Sequence, residues 1–273
     1  MFYKLKYSRI IPTPRHSGDI MIAVEKTNQG KPLFIVYIEN EKTRHSHMDS
    51  DSEPIIELED DSNHFEPISY VEPKEINLVA ELIAGASGSG KSYQCQTLVN
   101  NLRRFHKKYK DYKIYLITGQ ETEDPVYEDN FKDYQIININ HPDFARLKWS
   151  DFSKSIIIYD DVESLQNKDL EVFINRLQNA CLQNGRRAEV ISFHINHALL
   201  GGIQTKFIIQ ECPSINIYPR RDTFNVENFL LNKLLYKREL VDHLLKLNTR
   251  VLTIRKSYPQ YYISKEEIGI IAG

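Results

Sequence analysis

The chain of 273 residues reads as an α/β protein: a mainly parallel central sheet flanked by helices, with a small β-rich region before it. Three observations lead there. From about residue 76, apolar strand-like runs alternate with amphipathic runs of helical period, the pattern of a parallel sheet with crossover helices. A glycine-rich stretch stands between the first of those strands and the first of those helices. The first forty residues, by contrast, hold only short β-like runs separated by Pro, Gly and Asn.

Those N-terminal runs are FYKLKY, IMIAVEK and PLFIVYIE, able to form a small sheet or to extend a larger one. Between residues 39 and 75 the sequence turns acidic and polar, as in HMDSDSEPIIELEDDSNHFEP, and reads as a tether ending near Pro73. The chain is therefore divided into residues 1–73 and 74–273. In the second part strands are expected over 76–84, 113–118, 135–139, 155–160, 189–195 and 214–218. A helix is expected from 91 to about 110, with Cys95, Leu98, Val99, Leu102 and Phe105 on one face. A second spans 168–184 and should stop at Gly185 as its C-cap. Beyond Asn225, VENFLLNKLLYKRELVDHLLKL reads as one or two helices, followed by strand-like RVLTIRK and QYYISK. No internal repeat is visible.

Composition bounds the function classes. A hydrophobic content of 41% marks a globular chain. No apolar run reaches the roughly 18 to 20 residues a membrane helix needs, and charge is scattered through the first fifteen positions, so a soluble, unexported protein is expected. Three widely spaced cysteines, Cys95, Cys181 and Cys212, suggest neither a disulfide framework nor a thiolate metal site. A net charge of −2 speaks against coating nucleic acid by bulk positive charge, while leaving local basic faces open.

GASGSGKS, comprising Gly85, Ala86, Ser87, Gly88, Ser89, Gly90, Lys91 and Ser92, fits G-x-x-x-x-G-K-[ST] and sits after a strand and before a helix. Glycines let the backbone curl so that successive N–H groups face phosphates, and the helix N-terminus adds its positive end. Lys91 would reach the β- and γ-phosphates of ATP, Ser92 would hold Mg2+, and Tyr93 follows as part of the cradle. SIIIYDD supplies the complement: a buried strand carrying a carboxylate out at its C-terminal end. Asp160 would bind Mg2+ through water. Asp161 stands where a base for the attacking water is wanted, with Glu163 as a longer-armed candidate. The acids favour hydrolysis over phosphotransfer to a small acceptor, because a plain amphipathic helix follows Asp161 where nucleotide kinases need an arginine-rich lid.

With the cradle, the Asp160–Asp161 pair and GRRAEVISFHINH in this order, the chain from about Ile76 onward resembles the FtsK/HerA superfamily of DNA-pumping ATPases. Within it, the sequence looks most like the poxvirus-type genome-packaging ATPases of large DNA viruses and their virophage relatives. That resemblance implies a RecA-like P-loop NTPase fold. It also implies that a Gly-Arg-led sequence before the fourth core strand, here Gly185, Arg186, Arg187 and Ala188, supplies an arginine to the nucleotide of a neighbouring subunit. Arg186 is the first choice and Arg187 the second. Many relatives end this strand with a glutamine that orients water or senses the γ-phosphate; here His197 takes that position, after Asn196. Asp161 likewise replaces a common glutamate.

His194 and His197 also form an H-x-x-H pair, for which no third metal ligand is evident. For DNA, the basic candidates are RRFHKKYK, from Arg103 to Lys110, together with Arg220, Arg221, Arg250, Arg255 and Lys256. The resemblance implies a homo-oligomeric ring that hydrolyses ATP, acts on double-stranded DNA at a viral assembly site in the host cytoplasm or in the virion, docks on capsid or portal proteins and needs no membrane. A cellular or plasmid DNA pump, a nucleotide kinase and a nucleotide-gated scaffold are the alternatives.

Overall fold

A computed structural model describes residues 80–271 apart from 121–124, 129–130, 132–133, 164–166, 257–259 and 266, together with five short strands before them. Four of these, β1 (Ser8–Ile11), β2 (Ile20–Glu25), β3 (Pro32–Tyr37) and β5 (Phe65–Pro67), pair antiparallel in the order β1-β3-β2-β5. The FYKLKY run lies outside the described residues, as does most of the acidic stretch. Within that stretch, β4 (Ile55–Glu57) pairs antiparallel with β14 (Glu267–Ile271) at the edge of the large sheet.

The large sheet has ten strands in the order β4-β14-β13-β12-β11-β6-β10-β9-β7-β8. They are β6 (Ala80–Ala84), β7 (Lys113–Thr118), β8 (Tyr134–Asn138), β9 (Ser155–Asp160), β10 (Ile191–Asn196), β11 (Ser214–Ile217), β12 (Leu252–Arg255), β13 (Gln260–Ile263) and β14 (Glu267–Ile271), with β4 at one edge. From β11 to β8 neighbouring strands are parallel, and from β11 to β4 antiparallel. The sequence reading placed no strand at β14.

The order of the parallel core decides where the chemistry can sit. β10 is inserted between β6, which feeds the cradle, and β9, which carries the acids. Three chemically distinct strand ends therefore meet at one edge, with neighbouring strands about 4.8 Å apart. This arrangement is the RecA-like P-loop fold.

Alternation explains why these strands read as continuous apolar runs. On β9, Ile156 and Ile158 face the helix α1 (Lys91–Phe105), in a cluster with Cys95, Leu98, Ile114, Leu116, Phe193 and Ile195. Ile157 and Tyr159 face the other layer, packing with Ile174, Leu177 and Cys181 of α3 (Lys168–Asn184). A strand covered on both faces has no use for polar side chains until its end. Asn167 caps α3, its carboxamide oxygen accepting from the backbone N–H groups of Asp169 at 2.9 Å and Leu170 at 3.3 Å. The third apolar cluster lies under α4 (Ile203–Glu211), α5 (Thr223–Asn232) and α6 (Arg238–Lys246), around Ile215, Phe229, Val241 and Ile254. The short α2 (Pro125–Glu128) packs against α1.

Gly185 is the C-cap of α3, as the sequence predicts, its N–H donating to the Cys181 carbonyl; its φ is −55°, and the chain runs on as a 3-10 turn over Gly185–Ala188. The left-handed residue is Glu189, at φ 58°. A Cβ at 185 would meet Val190 at 3.3 Å, a tight contact that glycine avoids. One expectation is corrected: the helix read from 91 to about 110 ends at Phe105, after which a 3-10 turn spans Lys107–Tyr109. All three cysteines are buried and free, and no helix of the described residues is long and apolar enough to cross a membrane.

Candidate functional site

The cradle leaves β6 at Gly85 and enters α1 at Lys91. Gly88 and Gly90 hold φ values of 70° and 99°, a region only glycine enters without strain, and these two residues curl the loop. Gly85 meets a different demand: a Cβ there would stand 2.6 Å from the ring of Tyr218. The N-terminus of α1 has neither a side-chain cap nor an acid in its first turn, which leaves its N–H groups open to an anion. Inside the loop, the buried Ser89 hydroxyl has no hydrogen-bond partner among the described residues. Ala86 and Ser87 at the crest, and Tyr93 after the loop, are exposed.

Lys91 is folded back onto the loop, its ammonium donating to the carbonyls of Gly85 at 2.9 Å and Ala86 at 3.2 Å. Burial lowers the pKa of this ammonium, against the pull of Asp160, Asp161 and Glu163. Asp160 ends β9 beside the cradle and accepts from the Ser92 hydroxyl at 3.5 Å and from the Tyr127 phenol at 2.8 Å. Oxygen donors of this kind, one carboxylate and one hydroxyl, suit Mg2+. Tyr127, on α2, is almost fully buried.

Asp161 is the first residue beyond β9 and sits at φ 53°, a left-handed conformation that costs a non-glycine residue about 1–2 kcal/mol. The turn aims its carboxylate along the sheet edge. Its Oδ1 lies 2.6 Å from His197 Nε2, and its Oδ2 accepts from Gln120 Nε2 at 3.0 Å. His197 Nδ1 in turn lies 3.4 Å from Lys91 Nζ. A carboxylate can only accept, so Nε2 carries the proton, and Nδ1 is left to accept from the ammonium. Glu163 Oε2 accepts the backbone N–H of His197 at 2.8 Å, fixing the turn from which the ring projects. Removal from water raises the Glu163 pKa more than that N–H, His197 and Lys91 lower it.

The structure thus brings Lys91, Ser92, Asp160, Asp161, Glu163 and His197 together. A neutral histidine supplies what a glutamine would supply there, one donor and one acceptor. The H-x-x-H pair is divided: His194 is fully buried, stacked on Tyr159 at 5.0 Å between ring centres, with Gln178 and Ser192 on its nitrogens. Burial pushes its pKa down to about 3.

Arg186 and Arg187 are exposed on the turn before β10. The strands are parallel, so this turn lies at the opposite edge of the sheet from the cradle. Arg103 is at that edge too, donating to the Lys110 carbonyl at 2.7 Å, and Lys108 pairs with Glu189 at 2.8 Å. Among the other basic candidates, Arg255 is buried in β12, contrary to the surface role considered for it. Lys256 donates to the carbonyls of Ile209 and Gln210 at the end of α4. Gln120 and Tyr127 were missed by sequence reading: only the adjacency of β7 and β9 brings Gln120, two residues beyond β7, to Asp161.

No family model matches the chain. It is 23% identical over 188 residues to the uncharacterized protein V3 of Sputnik virophage, covering 66% of this chain and 71% of that protein. Among solved structures it is similar to the genome packaging NTPase B204 of Sulfolobus turreted icosahedral virus 2 in complex with AMP, at 12% identity and a TM-score of 0.47, over 71% of this chain and 98% of B204. It is also similar to the conjugation coupling protein TcpA of pCW3, at 13% identity and a TM-score of 0.45, over 90% of this chain and 77% of TcpA.

Proposed function

We propose that the chain is an ATPase that moves double-stranded DNA into a preformed viral capsid, working as a homo-oligomeric ring at the assembly site in the host cytoplasm. The observation that carries the ATPase reading is the line Lys91–His197–Asp161 across three strand ends, closing at 3.4 Å and 2.6 Å. It links the cation that would meet a γ-phosphate to the carboxylate that would orient the attacking water. The packaging role rests on the motif resemblance, as do the ring and its capsid or portal partners.

In this reading the triphosphate of ATP displaces the carbonyls of Gly85 and Ala86 as the partner of Lys91, and the α1 N-terminus receives the bridging phosphates. Ser92 and Asp160 would hold Mg2+, which would supply positive charge against the charge developing on the phosphates. Asp161, held on both oxygens by His197 and Gln120, orients a water in line with the γ-phosphorus. The water's oxygen forms the new P–O bond as the bond to ADP breaks, and its proton passes to a carboxylate. Glu163 positions His197.

Steady-state ATP hydrolysis tests this reading with Lys91→Ala and Asp160→Ala. Each should lower kcat by about a hundredfold or more. Unchanged hydrolysis in either would sink the site assignment, and tight ATP binding with negligible turnover in the unaltered chain would make it a nucleotide-gated scaffold.

A further inference from the structure

Of the basic residues outside the cradle, Arg220, Arg221 and Arg250 line one cavity of about 410 Å3 together with Lys265, Asn248 and Thr249. Four cations meet there and no acid is part of the wall. Among the described residues none of the four is in an ion pair, and the nearby Asp222 is engaged by the Asn225 amide at 2.9 Å. The wall is built rather than incidental. Thr249 donates to the Val251 carbonyl at 2.6 Å and accepts the Lys265 backbone N–H at 3.1 Å, which holds the turn after β13 against the segment before β12.

Arg250 ties this cavity to the cradle. Its Nε donates to the Ser89 carbonyl at 2.7 Å and a terminal nitrogen to the Gly88 carbonyl at 3.4 Å. Its guanidinium also packs so close to Gly90 that a Cβ there would stand 2.8 Å away. A phosphate loop turns its N–H groups inward and its carbonyls outward. Arg250 holds the carbonyls, so the cavity lies behind the loop, outside the place of the triphosphate.

We infer that this cavity is a second phosphate site, separate from the cradle and sharing Arg250 with its outer wall. Converging cations repel one another, and an anion relieves that repulsion. Guanidinium forks match phosphate oxygens bidentately, and the exposed Asn248 carboxamide adds a neutral donor. A nucleic-acid backbone and a free oligophosphate both present this chemistry.

The test compares two probes, a 20-base-pair DNA duplex and inorganic tripolyphosphate, on the full chain. The Arg220→Ala/Arg221→Ala pair should weaken duplex binding about tenfold at low salt and reduce the slope of log K against log salt by about 2 if the source is a nucleic acid. If the source is a free oligophosphate, the pair should abolish the tripolyphosphate binding that remains in Lys91→Ala. Lys265→Ala should act in the same direction. In either case the affinity for a non-hydrolysable ATP analogue should stay within about twofold. Unchanged binding of both probes would overturn the inference. So would a parallel loss of analogue affinity, because the cavity would then be the outer part of the cradle's own site. Retention of the analogue by Lys91→Ala would count against the cradle reading alone, since the duplex arm does not use the cradle.

Discussion

Replacing His197 is the sharpest perturbation of the site, because the ring touches both halves of it. His197→Ala removes the donor that holds Asp161 Oδ1 at 2.6 Å and the acceptor facing Lys91 at 3.4 Å. The side chain is 45% exposed, so this hydrogen bond's contribution to folding should stay below about 1 kcal/mol. Its weight falls on the transition state, where a misplaced donor costs about 2.7–4 kcal/mol, a loss of roughly a hundredfold to a thousandfold in kcat. His197→Gln keeps one donor and one acceptor on a similar reach and should retain kcat within about tenfold. The assay is steady-state ATP hydrolysis with kcat and KM separated, alongside a binding titration with an ATP analogue and a thermal melt. The expected pattern is a fall in kcat for the alanine variant, little change in analogue affinity and a melt near that of the unaltered chain. An alanine variant within about threefold of the unaltered kcat would refute the bridging role, and so would a glutamine variant as impaired as the alanine one.

Two further outcomes follow from buried groups. Tyr127→Phe deletes the phenol that donates to Asp160 at 2.8 Å while keeping the ring, and should weaken Mn2+ binding, read by electron paramagnetic resonance, about tenfold; unchanged affinity would make the tyrosine a packing residue only. His194 should make the fold acid-sensitive: its native pKa is about 3 against 6.5 for the free side chain, so the unfolded chain binds a proton that the native one refuses. Stability from this source is complete above pH 6.5 and is lost as pH falls from there towards 3. Urea unfolding should therefore lose roughly 1.5 kcal/mol more between pH 6.5 and 5 in the unaltered chain than in His194→Gln, and parallel losses would remove the histidine from the account.

What could be read from the sequence follows the range of the forces involved. The cradle, the acid strand and α3 were legible because each is specified locally: by glycines with positive φ, by an apolar run that alternates between two covered faces, and by Asn167 before a periodic stripe. Gly185 ended α3 as its residue type suggested, although in a right-handed conformation and against Val190. Arg255 was misread because nothing in RVLTIRK says which strand positions face the interior of an antiparallel extension. Gln120 and Tyr127 had no local signal. They enter the site only because β7 lies beside β9, a property of strand order. The segment EIGII was too short, and its central glycine too poor a strand former, to announce β14.

Strand order also gives β10 two chemically different ends, which bears on the arginine. Its C-terminal end belongs to this chain's own site: the Asn196 carbonyl accepts the N–H of Gly85 at 3.1 Å, and His197 follows. Its N-terminal end carries Arg186 and Arg187, exposed after α3. Six strand residues at about 3.3 Å each separate the two, roughly 20 Å, far beyond the reach of one side chain. Neither arginine can therefore meet the nucleotide in its own cradle, and a role in transfer requires the cradle of another copy. Mixing separates these possibilities. Arg186→Ala subunits, whose cradles are intact, should recover activity when combined with Asp160→Ala subunits, whose arginines are intact. Activity that never exceeds the sum of the two preparations would leave Arg186 as a solvated residue at a helix end, where its charge also suits the helix dipole.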